Sequence, residues 1–226
     1  MSYVLKQNLL ASSKNTIKSP YAMTPQYITV HNTANDASAE NEIRYMLTND
    51  NQVSYHVAID DTEAIQAIPF NRNAWHCGDG QGNGNRKSIG VEICYSKSGG
   101  ARYVAAEENA VQYIAQLLKQ FGWGIDRVRK HQDWNGKYCP HRILDECRWI
   151  SFLKRIECAL NDTNEAARKD DDIMQFTIKE TKTAVRYLLQ QAVDSKKIDK
   201  AWLDKFEAGT MTGGDFEGLK IIISQR

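Results

Sequence analysis

The sequence predicts an α/β fold followed by a small, mainly helical C-terminal module. Three observations lead there. β-prone runs at 27–31, 54–59, 63–68, 89–95 and 126–131 alternate with helically spaced apolar residues at 36–49, 105–121 and 144–160. After a polar, charged stretch at 161–172, only helical spacing follows, at 178–193 and 198–206. The apolar fraction of 42% and a nearly balanced charge, 29 Lys and Arg against 28 Asp and Glu, suit a globular chain with one medium domain and one small one.

Residues 1–26 read as a lead-in segment, in which Pro20 and Pro25 bracket Tyr21-Ala-Met-Thr24 and keep it extended. Tyr27 to His31 is rich in β-formers and reads as a strand. In the helix over 36–49, Ile43, Met46 and Leu47 fall at helical spacing, and Asp36 or Ser38 can cap it. Ser54–Ile59 and Glu63–Ile68 flank Asp60-Asp61-Thr62 and predict a hairpin. Gly78-Asp-Gly-Gln-Gly-Asn-Gly-Asn85 lacks the Gly-Lys-Ser/Thr ending and the following helix of a phosphate loop. It reads as a mobile loop beside Trp75 and His76 that shapes a groove. In the strand from Ile89 to Tyr95, Ile89, Val91 and Ile93 share one face, and Gly90, Glu92 and Cys94 the other. The Ala105–Phe121 helix carries an apolar stripe of Ala110, Ile114, Leu117, Leu118 and Phe121, and Gly122 stops it. Asp126–His131 is a strand that delivers His131, and Leu144–Leu160 a closing helix.

Residues 161–172 read as a linker or a frayed helix end. In the module at 173–226, Val185, Leu188, Leu189 and Ala192 share a side of one helix. Trp202, Leu203 and Phe206 lie in the next. Gly213-Gly214-Asp215 restarts the chain, and Leu219, Ile221, Ile222 and Ile223 finish it. Roughly fifty residues are marginal for independent stability, so the module is expected to pack on its neighbour or on a second copy.

The chemistry concentrates in His131-Gln-Asp-Trp-Asn-Gly-Lys137-Tyr-Cys139-Pro140, together with His31 at the end of its strand. Two His and one Cys suit zinc, and three protein ligands leave a position open for water or substrate, as in catalytic sites. Taken singly, a Cys is usually a small buried hydrophobe and a strand-end His a satisfied polar group. The set together points to a metal. Asn32-Thr-Ala-Asn35 would expose the His31 ring, Pro140 fixes the backbone beside the thiol, and Lys137 would be superfluous in a structural zinc knot. Nor does the spacing follow the paired Cys-x-x-Cys of structural sites.

The chain resembles the zinc-dependent N-acetylmuramoyl-L-alanine amidases of the peptidoglycan-recognition type, found as phage endolysins and bacterial autolysins. Five pieces carry the resemblance, in the family's order, over roughly the first seven-tenths of the chain. They are Tyr27-Ile-Thr-Val-His31-Asn-Thr, Ser54-Tyr-His56-Val, Asn73-Ala-Trp-His76, Ser88-Ile-Gly-Val-Glu92-Ile, and His131-Gln-Asp with Lys137-Tyr-Cys139-Pro140. The resemblance implies a central mixed β-sheet flanked by helices, with residues 1–160 as a catalytic domain. It implies a zinc held by His31, His131 and Cys139, Glu92 as general base, and Lys137 near the developing oxyanion. It also makes His56, Trp75 and His76 groove-lining, substrate-binding residues. Relatives often have Gly where His141 follows Pro140, so His141 is an extra imidazole that could compete as a ligand, with Cys139 the better candidate by its motif match.

The implied partner is bacterial cell-wall peptidoglycan. Residues 173–226 would then bind the wall or form a homo-oligomer, a role that rests on position alone. A net charge of +1 gives no case for nucleic acid. No run approaches the ~20 apolar residues that span a membrane, so no membrane insertion is expected. The N-terminus shows no signal pattern, which predicts synthesis in the cytosol and access to the wall through a holin pore or lysis. Five irregularly spaced Cys do not form a disulfide framework, and Cys77, Cys94, Cys147 and Cys158 read as reduced and buried or semi-buried. Three alternatives to an endolysin stand beside it. They are a host autolysin or spore-associated amidase, a non-catalytic peptidoglycan-binding protein, and a zinc-stabilised structural protein. Cys139 counts against the second, and Glu92 with Lys137 against the third.

Overall fold

The computed structural model describes residues 3–161, 179–211, 215–216, 219–220 and 222–223. The chain divides into two compact units, residues 1–162 and 163–226.

The first unit is built on a six-stranded mixed sheet of order β1-β4-β3-β5-β2-β6. The strands are β1 (Val4–Gln7), β2 (Tyr27–Asn32), β3 (Val57–Ile59), β4 (Glu63–Gln66), β5 (Ser88–Ile93) and β6 (Val128–Lys130). All pairs are parallel except the β3–β4 hairpin, whose turn is closed by the Asp60 carboxylate accepting from the Thr62 and Glu63 amides. The helices are α1 (Asn15–Lys18), α2 (Ala39–Thr48), α3 (Asn83–Lys87), α4 (Gly100–Phe121), α5 (Gln132–Asn135), α6 (His141–Asp145) and α7 (Trp149–Asn161). Of the two predicted caps for α2, Ser38 is the one used, accepting from the Asn41 amide.

β2 and β5 are interior strands of the sheet and are buried along nearly their whole length, as strands covered on both faces must be. Ile28, Val30, Ile89, Val91 and Ile93 are fully buried and pack with Ala110, Ile114 and Leu118 of α4 in one core. Gly122 ends α4 in the left-handed conformation, φ +65°, its amide returning to the last turn.

Several elements differ from the sequence reading. The lead-in segment contributes edge strand β1, in which all four residues are exposed. With no buried face there is no alternation to read. α4 begins at Gly100, five residues before the predicted start, with Gly99 and Gly100 at positive φ, and the added turn buries Tyr103. The closing helix is two helices, α6 and α7, broken at Cys147 with φ +54°. The break lets Arg148 meet Glu107, a buried carboxylate on α4 that also receives Arg155, each at 2.6 Å. Cys77 and Cys94 are buried as expected, but Cys147 and Cys158 are exposed. The glycine-rich loop runs directly into α3.

In the second unit, α8 (Lys179–Asp194) and α9 (Lys200–Glu207) enclose a small core of Leu189, Leu203, Phe206, Met211 and Leu219. Asp199 caps α9. Val185 packs against this core and Ala192 is buried, but Leu188 is largely exposed. The stripe read from spacing is therefore narrower than predicted. The predicted linker beyond Asn161, Gly213-Gly214 and Ile221 lie outside the described residues.

Candidate metal centre and active-site groove

His31 stands near the end of β2, beside Glu92 on β5 in register, so both side chains project from the same face of the sheet. Two positions earlier on that face, Thr29 accepts a hydrogen bond from Trp134 Nε1 at 2.9 Å and is bonded to Ser88. The Trp134 bond ties α5 to β2 and so places His131, which directly follows β6. Cys139 is drawn in by its carbonyl, which accepts from the Gln132 amide at 3.1 Å. Asn32, at the end of β2, holds the Arg142 amide at 3.1 Å, just past the cis Cys139–Pro140 bond.

The three predicted ligands meet. His31 Nδ1 lies 3.0 Å from His131 Nδ1 and 3.9 Å from Cys139 Sγ, and the three donor atoms lie within 4.8 Å of one another. All three side chains are buried. Burial, then the neighbouring His76, His131 and Lys137, hold the His31 imidazole well below its ordinary pKa, in its neutral, ligating form. Burial, then Glu92, push the Cys139 thiol up to about 12. A thiolate there needs a cation beside it, which a metal at this point supplies. The donor set therefore fits zinc.

A second group capable of holding a metal shares His31 and adds His76 and Cys77. Its hydrogen bonds give it a different part. His76 Nε2 faces the Ser88 carbonyl at 3.2 Å and donates to it, which leaves His76 Nδ1 as an acceptor. His31 Nε2, 2.9 Å away, donates to that atom. The His31 proton is thus held on Nε2, and the Nδ1 lone pair turns toward His131 and Cys139. Gly90 makes room for this support, since a Cβ there would meet the His76 ring at 2.8 Å. Asn85 fixes the backbone beneath it by accepting from the His76 and Cys77 amides at 2.9 and 2.8 Å.

Glu92 Oε2 is buried and has no hydrogen-bond partner among the described residues. Burial, then Glu42, push this carboxyl up to about 8, against the pull of Lys137. Glu42 is itself held by Asn35 at 2.5 Å and Tyr55 at 3.3 Å, and both carboxylates line a cavity of about 200 Å³. The larger groove, about 530 Å³, is lined by Trp75, His76, His131, Asn135 and Lys137, with Gly78 and Gln81 of the glycine-rich loop. Lys137 is exposed.

One sequence expectation changes. His56 does not line the groove. It is fully buried, its Nε2 donating to the Arg72 carbonyl and its Nδ1 accepting from the Gly90 amide, both at 2.9 Å. His141 is outside both metal-capable groups and faces the Ser96 carbonyl at 3.3 Å. Sequence reasoning missed Thr29, Glu42 and Asn85. The period-two face of His31 could have flagged Thr29, whereas nothing local marks the other two.

A family model described as N-acetylmuramoyl-L-alanine amidase matches residues 21–142. The chain is 64% identical over 162 residues to the N-acetylmuramoyl-L-alanine amidase XlyB of Bacillus subtilis (strain 168), covering 71% of this chain and 51% of that protein. It is 45% identical over 219 residues to the N-acetylmuramoyl-L-alanine amidase CwlA of a Bacillus species, covering 95% and 86%. The solved structure of PlyL superposes with a TM-score of 0.67 at 58% identity, covering 68% of this chain and 97% of that one. The chain spans about half the length of XlyB.

Proposed function

Since the chain belongs to the N-acetylmuramoyl-L-alanine amidase family, we propose that it hydrolyses the amide between the lactyl group of N-acetylmuramic acid and L-alanine in peptidoglycan, as an endolysin. The observation that carries this reading is the convergence of His31, His131 and Cys139, with Glu92 in register beside His31 and its Oε2 unpartnered among the described residues.

Amide hydrolysis needs a polarised carbonyl, a competent nucleophile and a proton for the departing amine. Zinc held by His31, His131 and Cys139 would supply Lewis acidity toward the carbonyl and toward water. Glu92 takes the proton of the attacking water on Oε2 and returns it to the leaving nitrogen. Burial raises this carboxyl above its ordinary range, which favours its keeping the proton taken from water until the amine departs. Lys137 stabilises the oxyanion by charge and hydrogen bonding. His76 keeps the His31 proton on Nε2, so the ligating lone pair stays in place. Trp75 offers the groove a flat apolar surface for the glycan or peptide. The second unit is read as a wall-binding or oligomerising module, and the protein reaches the wall after release by a pore or by lysis.

The test is hydrolysis of purified Gram-positive walls with and without chelator, following new amino groups against new reducing ends. Amino groups without reducing ends, abolished by chelator and restored by zinc, support the amidase. Wall binding with neither product overturns it.

A further inference from the structure

A further cavity, of about 410 Å³, opens beside the groove, and Gln81 lines both. Its polar lining is Arg86, Lys87, Thr24, Gln26, Asn83 and Gln81, with no Asp or Glu. Two cations and four neutral groups able to donate thus face one space without a counter-charge. Neither Arg86 nor Lys87 makes an ion pair among the described residues, whereas about half of this unit's other cations, such as Lys6, Arg102 and Lys130, have one.

Arg86 is held in place rather than free in solvent. Its guanidinium lies 4.0 Å above the centroid of the Tyr21 ring. Its Nη1 donates to Gln81 Oε1, and Gln81 Nε2 donates to the Tyr21 hydroxyl at 3.4 Å. Arg86 Nε is itself buried and has no hydrogen-bond partner among the described residues. A planar fork fixed on an aromatic ring is pre-organised for a two-oxygen anion. Tyr21 in turn packs edge-on against Trp75 of the groove, 6.1 Å between centroids, so the cavity and the groove share two structural links.

We propose that this cavity is a subsite for an oxyanion, a carboxylate or a phosphodiester, of the wall polymer that occupies the neighbouring groove. The oxyanion chemistry stands on the cavity alone, and its assignment to a wall polymer rests on the amidase reading. A peptidoglycan carboxylate and a teichoic acid phosphodiester share that chemistry.

Two measurements on the full chain test this. Backbone amide shifts are followed at low ionic strength while inorganic phosphate, and separately acetate, is added. Saturable shifts at residues 21–26 and 81–87, lost on Arg86→Gln with Lys87→Gln and weakened on Arg86→Lys, which keeps the charge but not the fork, are expected. Absent or non-saturating shifts, or shifts unchanged in the double variant, overturn the proposal. Lys87→Gln alone keeps the test open if the double variant fails to fold, since the Lys87 side chain makes no bond among the described residues. The second measurement is KM on native walls and on walls stripped of teichoic acid, where the double variant is expected to raise KM about tenfold. A rise on both wall types identifies a peptidoglycan carboxylate, and a rise on native walls only identifies the phosphodiester. An unchanged KM on both overturns the proposal. Should the unaltered protein release no amino groups, the amidase reading fails, and the phosphate titration still decides the oxyanion site.

Discussion

The two sides of His31 carry the same ligand chemistry and do different work. On the Nδ1 side stand His131 and Cys139, beside Glu92 and the groove that Lys137 lines. On the Nε2 side stand His76 and Cys77, closed by bonds to the Ser88 carbonyl and over the Asn85 side chain. Each side offers imidazole and thiol within ligating distance. What separates them is the destination of each proton and the access of water. Where every N–H has a protein acceptor, the group is support, and where lone pairs converge on a wet groove, it is a reaction centre.

The largest effect that could break this contrast is at the two thiols. Cys139→Ser is expected to strip zinc on mild chelator treatment and to abolish hydrolysis. Cys77→Ser should keep one metal per chain. Metal analysis of both variants decides it, and equal loss from the two would show that the sides are not distinct. Next is Glu92→Gln, which should keep zinc and fold while hydrolysis falls about 10³-fold. Wild-type turnover by the metal-loaded variant would remove Glu92 from the reaction. Lys137→Met should cost about 10²-fold in kcat with metal content unchanged.

His76→Ala sharpens the comparison further. With its acceptor gone, His31 can place its proton on either nitrogen, and zinc affinity should fall about 10- to 100-fold. Competition with a chelator of known affinity measures that. The ¹⁵N shifts of the metal-free protein should report loss of the single Nε2-protonated form. An unchanged affinity would make the His31–His76 bond incidental.

How far the sequence carried the site follows from the same distinction. His31, His131, Cys139, Glu92 and Lys137 come together in the fold because each sits at or near a strand end or in a loop that a strand delivers, and strand patterns are legible. The supporting layer is not. Thr29, Asn85 and Gly90 act through contacts made 8 to 105 positions away in sequence, and such contacts leave no local period. The central strands and α4 were legible because they bury a continuous face. Edge strand β1 buries none, and the α6–α7 break serves Arg148 and Glu107 across 41 positions.

His56 was read as a groove residue and is a core residue, and its titration separates the two parts. Its ring is neutral because both nitrogens are committed, one as donor to Arg72 and one as acceptor from Gly90. A second proton would displace the Gly90 bond and place charge in the core. Burial accordingly pulls its pKa down to about 4, against the small opposing effect of the Arg72 carbonyl. The unfolded chain binds that proton from about pH 6.5, so the contribution of His56 is complete above that value and is lost as pH falls toward 4. The loss is on the order of 3 kcal/mol. His31 and His76 titrate in the same direction, so the readout is a difference. Denaturant midpoints between pH 7.5 and 4.5 should fall less steeply in His56→Gln than in the unaltered protein. A groove histidine open to solvent would leave the two slopes equal, and would return His56 to the substrate side of the site.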